Sequence, residues 1–187
     1  MKRRLLDLGL IVIVALAAAL AVQAFIIKPY RIPSPSMAST LVSGDRILVN
    51  RLAYTFSGVS RGDVIVFTWP KDRKLVFVKR VIGLPGDVVS LRDGDVVVNG
   101  KRLSEPYVCK ADGKPELTLC ADELAGATFA QPWGLQHAYK VPAGCFFVMG
   151  DNRMESDDSR DWGVVPRHDV IGRAFMLYWP LGRLHLL

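Results

Sequence analysis

Histidine and cysteine are scarce in this chain, with three of each. His137, His168 and His185 form no short-spaced cluster with Cys109, Cys120 or Cys145, so no metal site is expected. A glycine-rich nucleotide loop and an internal repeat are also missing, and no cofactor is expected. Basic runs stop at Lys2-Arg3-Arg4 and no nucleic-acid motif is present. The formal charge of +6 therefore points to membrane lipid, not nucleic acid, as an anionic partner, beside the plain reading of a soluble surface. Half of the 187 residues are hydrophobic, which suits one domain with a real core plus a membrane segment.

The longest apolar run is Leu8 to Ile27, broken only by Gly9 and Gln23. As a helix it would span about 30 Å, one hydrocarbon core. A cleaved signal peptide is the rival, with Lys2 to Arg4 as its basic region and Val22-Gln23-Ala24 as a small-residue cleavage site. Apolar residues continue through Phe25-Ile26-Ile27, which favours a retained anchor. The basic cluster puts residues 1–7 in the cytoplasm, residues 8–27 in the membrane and residues 28–187 outside, although Lys28 and Arg31 soften the asymmetry. In that compartment a disulfide between Cys109 and Cys120 would staple the turn-rich stretch between them, leaving Cys145 as a buried small hydrophobe.

Beyond the anchor, short β-branched and aromatic runs alternate with Gly, Asp and Pro punctuation. Strands are predicted over Arg46 to Asn50, Asp63 to Trp69, Leu75 to Ile82, Val88 to Leu91, Val96 to Val98, Phe146 to Met149 and Ile171 to Trp179. Asp93-Gly94 and Asn99-Gly100 mark tight hairpin turns. The fold expected is mainly β: a transmembrane helix, then an antiparallel, barrel-like all-β domain, with a short helix around Met37 to Leu41. Residues 104–143 carry the weakest pattern and read as a loop or hairpin insertion.

Chemistry is suggested by Pro33-Ser34-Pro35-Ser36-Met37-Ala38-Ser39-Thr40-Leu41. Pro33 and Pro35 stiffen an extended backbone that presents two serines, although the same composition also makes a linker. A nucleophilic serine needs a base. A Ser-His-Asp triad requires one of three histidines that have no motif around them. A Ser-Lys pair requires Lys79, which the two-residue strand period puts on one face with Leu75, Phe77 and Val81. Desolvation there would lower the amine pKa, unless Lys79 snorkels from a strand edge into water. Met149 to Gly163 forms a third, largely polar segment, in which Asp158 and Arg160 can pair and Ser156 can donate a hydrogen bond to a neutral lysine amine.

Taken together, these segments resemble bacterial type I signal peptidases, membrane-bound serine proteases. Pro33 to Met37 with Thr40-Leu41 and Gly44-Asp45 is similar to the nucleophile box of that family. Arg61 to Phe67 and Val78 to Asp87 resemble its strand and base boxes, and Gly150-Asp151-Asn152-Arg153 with Ser156, Asp158, Ser159 and Arg160 its last box. The resemblance implies Ser36 as nucleophile and Lys79 as general base. It gives the oxyanion hole to the Ser34 hydroxyl and the Ser36 N–H, with Ser156, Asp158 and Arg160 in support. It implies a substrate cleft lined by Tyr30, Ile32, Pro33, Met37, Leu41, Phe77 and Val78. The implied substrates are secretory preproteins cut after Ala-x-Ala, at a bacterial cytoplasmic membrane crossed once, with the catalytic domain on the periplasmic side. Two departures stand out: Pro35 replaces a common glycine, and Glu155 and Asp157 make the last box acidic. Other readings are a specialised paralogue for one pilus or conjugation substrate, a non-catalytic signal-peptide binder, and a membrane-tethered cytoplasmic adaptor.

Overall fold

A computed structural model describes residues 7, 9–17, 26–92, 94–108 and 138–187. The predicted anchor is covered only in part. Residues 9–17 are helical and exposed, and among the described residues no helix is long and apolar enough to cross a membrane. Ile27, the last residue of the expected span, opens the first strand, β1 (Ile27–Arg31), and pairs with Asn50. Cys109 and Cys120 lie outside the described residues, as does most of 104–143.

The remaining strands are β2 (Arg46–Asn50), β3 (Val64–Thr68), β4 (Val76–Gly83), β5 (Val88–Arg92), β6 (Asp95–Val98), β7 (Lys101–Arg102), β8 (Tyr139–Lys140), β9 (Cys145–Met149), β10 (Val165–Pro166), β11 (Val170–Trp179) and β12 (His185–Leu186). Their pairings are antiparallel. One sheet runs β1-β2-β11-β3-β4-β9-β10 with β12 beside β11, and a second runs β7-β6-β5-β8. The expectation of a barrel-like closure is corrected: β1 and β10 are edges that do not pair with one another, so the large sheet is open.

The second sheet is a meander built by turn chemistry. Asn99 and Gly100 both have positive φ, 53° and 78°, the backbone that a two-residue primed turn requires between β6 and β7. The sheets join at Gly83, where an added Cβ would stand 2.8 Å from Val89 and 2.9 Å from Val141.

Three apolar clusters fill the domain. Ile32, Met37 and Leu41 pack onto Ile47, Val49, Val66 and Leu177, so the proline-rich loop is anchored in core and does not trail as a linker. Ile65, Phe67, Val81, Phe146 and Val148 pack on the other side of the large sheet, and Ile82, Val89, Val96 and Phe147 underlie the meander. Pro35–Met37 forms a single 3-10 turn, slightly earlier than the short helix expected at Met37 to Leu41.

Candidate active site

Ser36 lies in the 3-10 turn Pro35–Met37, and its loop is gripped by the segment that follows β9. The Asn152 N–H donates to the Ser36 carbonyl at 3.2 Å and the Asn152 side chain to the Pro35 carbonyl at 3.3 Å. Thr40 donates to Asp151 at 2.5 Å, and Asp151 accepts both arms of Arg80 at 2.8 and 2.6 Å. Arg80 follows Lys79 on β4. The Ser36 loop, the lysine strand and the last polar segment are thus tied together around the buried Asp151 carboxylate, where such charged bonds are strong.

Lys79 is 4% exposed, which removes the snorkelling alternative. No hydrogen bond or ion pair joins its amine to another described residue, and its Nζ lies 5.8 Å from the Phe77 ring centroid. Burial lowers its pKa from the ordinary 10.5 to about 8, with Arg160 adding to the fall, while Asp158, Asp157 and Asp151 hold it back.

Ser36, Ser34 and Lys79 line one cleft of about 510 Å³, together with Tyr30, Ile32, Pro33, Met37, Phe77 and Val78. The two serine hydroxyl oxygens are 3.4 Å apart. Leu41, expected in the same cleft, is instead fully buried in the core beneath the loop and does not line it. Arg31, Leu75, Val76, Glu155 and Asp157 line the cleft without having been assigned to it. Strand alternation would not have flagged Arg31, since it sets that side chain on the face opposite Tyr30 and Ile32; the two acidic positions were visible only as departures from a family pattern. His168 and His185 are outside the cleft, and His137 lies outside the described residues, so no triad forms among the described groups.

Asp158 organises the remaining side of the site. Its carboxylate accepts from the Gly150 N–H at 2.9 Å, from Ser156 Oγ at 2.7 Å and from Arg160 at 2.7 and 2.8 Å. Burial would raise its pKa, but the Arg160 hydrogen bonds and charge, with those from Gly150 and Ser156, outweigh it and hold the carboxyl below its usual range. The Ser156 proton is therefore committed to Asp158. Ser156 Oγ, which makes no hydrogen bond with Lys79 here, is left with lone pairs, able to accept from an amine and not to donate to it.

A half-buried serine and a buried lysine, the latter unpaired among the described residues, open on one cleft of an antiparallel β domain, the pair of groups that a serine hydrolase with an amine base would need. The family model described as "Signal peptidase, peptidase S26" matches residues 5–179, and the chain belongs to that family. It is similar to a signal peptidase I of Leptolyngbya laminosa, 39% identical over 173 residues, covering 89% of this chain and 75% of that one. A signal peptidase I of Bacillus caldolyticus is 36% identical over 172 residues, covering 89% and 87%. A solved signal peptidase I from Enterococcus faecalis aligns at 34% identity and a TM-score of 0.47, covering 63% of this chain and 97% of that chain.

Proposed function

We propose that Ser36 and Lys79 are the nucleophile and general base with which this chain, a serine endopeptidase, removes signal peptides from secreted preproteins. The observation that carries the dyad is Lys79, buried to 4% exposure with a pKa lowered to about 8 on the cleft that Ser36 lines. A neutral amine takes the Ser36 proton as Oγ attacks the scissile carbonyl. The tetrahedral oxyanion is held by the Ser36 N–H and the Ser34 hydroxyl, donors that count most when the charge forms. Protonated Lys79 returns the proton to the leaving amine, the mature protein departs, and the amine then activates the water that splits the acyl-enzyme. No cofactor enters these steps.

The apolar walls at Ile32, Met37, Phe77 and Val78 favour a peptide in extended form with small side chains, as in an Ala-x-Ala site. The apolar N-terminal segment ahead of β1 serves as a membrane anchor, with lipid as its partner. The basic residues before it keep the N-terminus cytoplasmic and the catalytic domain, residues 28–187, on the outer face of a bacterial cytoplasmic membrane.

The test is cleavage of a preprotein bearing an Ala-x-Ala site by the detergent-solubilised chain, compared with Ser36→Ala and Lys79→Ala. Loss of cleavage in both variants is expected. Unchanged cleavage by either removes the dyad, and no cleavage by the parent favours a peptide-binding role.

A further inference from the structure

Glu105, Pro106 and Tyr107 follow the meander and belong to none of the segments that carry the chemistry. Each of those segments nevertheless makes a contact with them. The Tyr107 carbonyl accepts a hydrogen bond from Ser39 Oγ, three residues beyond the proposed nucleophile. Ser39 has φ 81°, left-handed backbone that a serine adopts at a cost and keeps only when its surroundings hold it. The Tyr107 ring lies under the Arg80 guanidinium, 3.9 Å from the ring centroid, and Arg80 adjoins Lys79 on β4. Glu105 accepts a bidentate pair from Arg153, one arm at 3.0 Å, with both side chains nearly closed to solvent. Arg153 in turn donates to the Gly150 carbonyl at 2.9 Å.

We propose that Glu105 and Tyr107 are positioning residues for the dyad, a strut that sets the nucleophile loop, the lysine strand and the Gly150 segment at their working separation. This rests on the assignment of Ser36 and Lys79 above. Neither residue lines the cleft, so both act through Ser39, Arg80 and Arg153. Arg80 is held from one side by Asp151 and from the other by the Tyr107 ring. Asp151 also takes the Thr40 hydroxyl, so a guanidinium that tilts carries the nucleophile loop with it. Similarly, Arg153 released from Glu105 loosens Gly150, whose Cα side packs against the Ser36 carbonyl.

The experiment is steady-state cleavage of the Ala-x-Ala preprotein by the full chain in detergent, with thermal midpoints measured in parallel. Tyr107→Ala is expected to lower kcat by roughly 10- to 100-fold while KM stays within about twofold, the mark of misplaced reacting groups. Tyr107→Phe keeps the ring over Arg80 and restores most of kcat. Folded Tyr107→Ala with the parental kcat, or with its loss confined to KM, overturns the strut. If Tyr107→Ala does not fold, Glu105→Gln decides by the same split. A parent that cuts nothing tells against the peptidase assignment alone. The strut is then judged by NMR titration of labelled Lys79, which moves toward an ordinary lysine in Tyr107→Ala if the strut holds it and stays put if it does not.

Discussion

The Ser36 carbonyl lies so close to Gly150 that a Cβ on the glycine would stand 2.3 Å from that oxygen and 2.2 Å from Ser156 Oγ. Neither neighbour can retreat freely, since the Ser36 carbonyl also accepts from the Asn152 N–H and Ser156 is bound to Asp158. Gly150 is therefore required by space and by what surrounds it, since nothing in its position calls for an unusual backbone angle.

Gly150→Ala accordingly strains the loop that carries Ser36. The expected loss is about 1–3 kcal/mol of stability, typical of an overpacked interior, with a fall in kcat of roughly 100-fold from displacement of the serine. Thermal unfolding and steady-state cleavage measured on one preparation separate the two effects. A variant with parental kcat would show that the loop yields without moving the hydroxyl.

As the proposed base, Lys79 would set the pH dependence. With the amine pKa lowered to about 8, kcat/KM is expected to rise with pH and level off above about 8, as the neutral base accumulates. The same shift has a stability sign. An unfolded lysine holds its proton up to about 10.4, so between pH 8 and that value the unfolded chain binds more protons and the parent gains stability as pH rises. Lys79→Met removes the buried charge, so it is expected to be inactive yet more stable by roughly 1–3 kcal/mol at pH 7, with the gain shrinking toward pH 10. Denaturant unfolding at the two pH values checks this.

Much of this arrangement was legible in the sequence because it is local. β2 coincides with the strand expected at Arg46 to Asn50, and β3, β4 and β9 differ from expectation only by terminal residues, since alternation and glycine punctuation decide them. The burial of Lys79 followed from the same two-residue period. β1 was hidden because Ile27 reads as the end of an apolar run and Pro29 interrupts the rest, while its partner lies at Asn50, far along the chain. Leu41 was placed in the cleft wall by the family resemblance, but the turn after Met37 directs it into the core. The contacts of Thr40 with Asp151 and of Ser36 with Gly150 join residues more than a hundred positions apart, and no local pattern announces them.

Asp158 carries a further prediction. Its carboxylate holds Arg160, whose side chain is 5% exposed, through two hydrogen bonds, so Asp158→Asn removes a charged partner from a buried guanidinium. Breaking such a pair costs about 3–5 kcal/mol. Because the folded carboxyl is held below its unfolded range, the stability that it contributes is present above about pH 4 and is lost as pH falls through the lower folded value. Parent stability should therefore decline in acid more steeply than that of Asp158→Asn. Parallel acid profiles of the two proteins would assign the carboxylate no such role.

Asp157 differs from Asp158 in being exposed on the cleft, and its carboxyl is pushed up, first by its partial burial and then by Asp161. Its charge favours the protonated form of Lys79, the form that cannot act as a base. Asp157→Asn is therefore expected to move the acid limb of kcat/KM to lower pH by a few tenths, giving roughly a twofold gain near pH 7 in dilute buffer. Salt screens an exposed charge, so the difference between variant and parent should fade as ionic strength rises toward about 1 M, whereas Asp158 and Arg160, both buried, should respond little. A pH profile identical to the parent's at low salt would show that the carboxylate at 157 does not reach the base electrostatically.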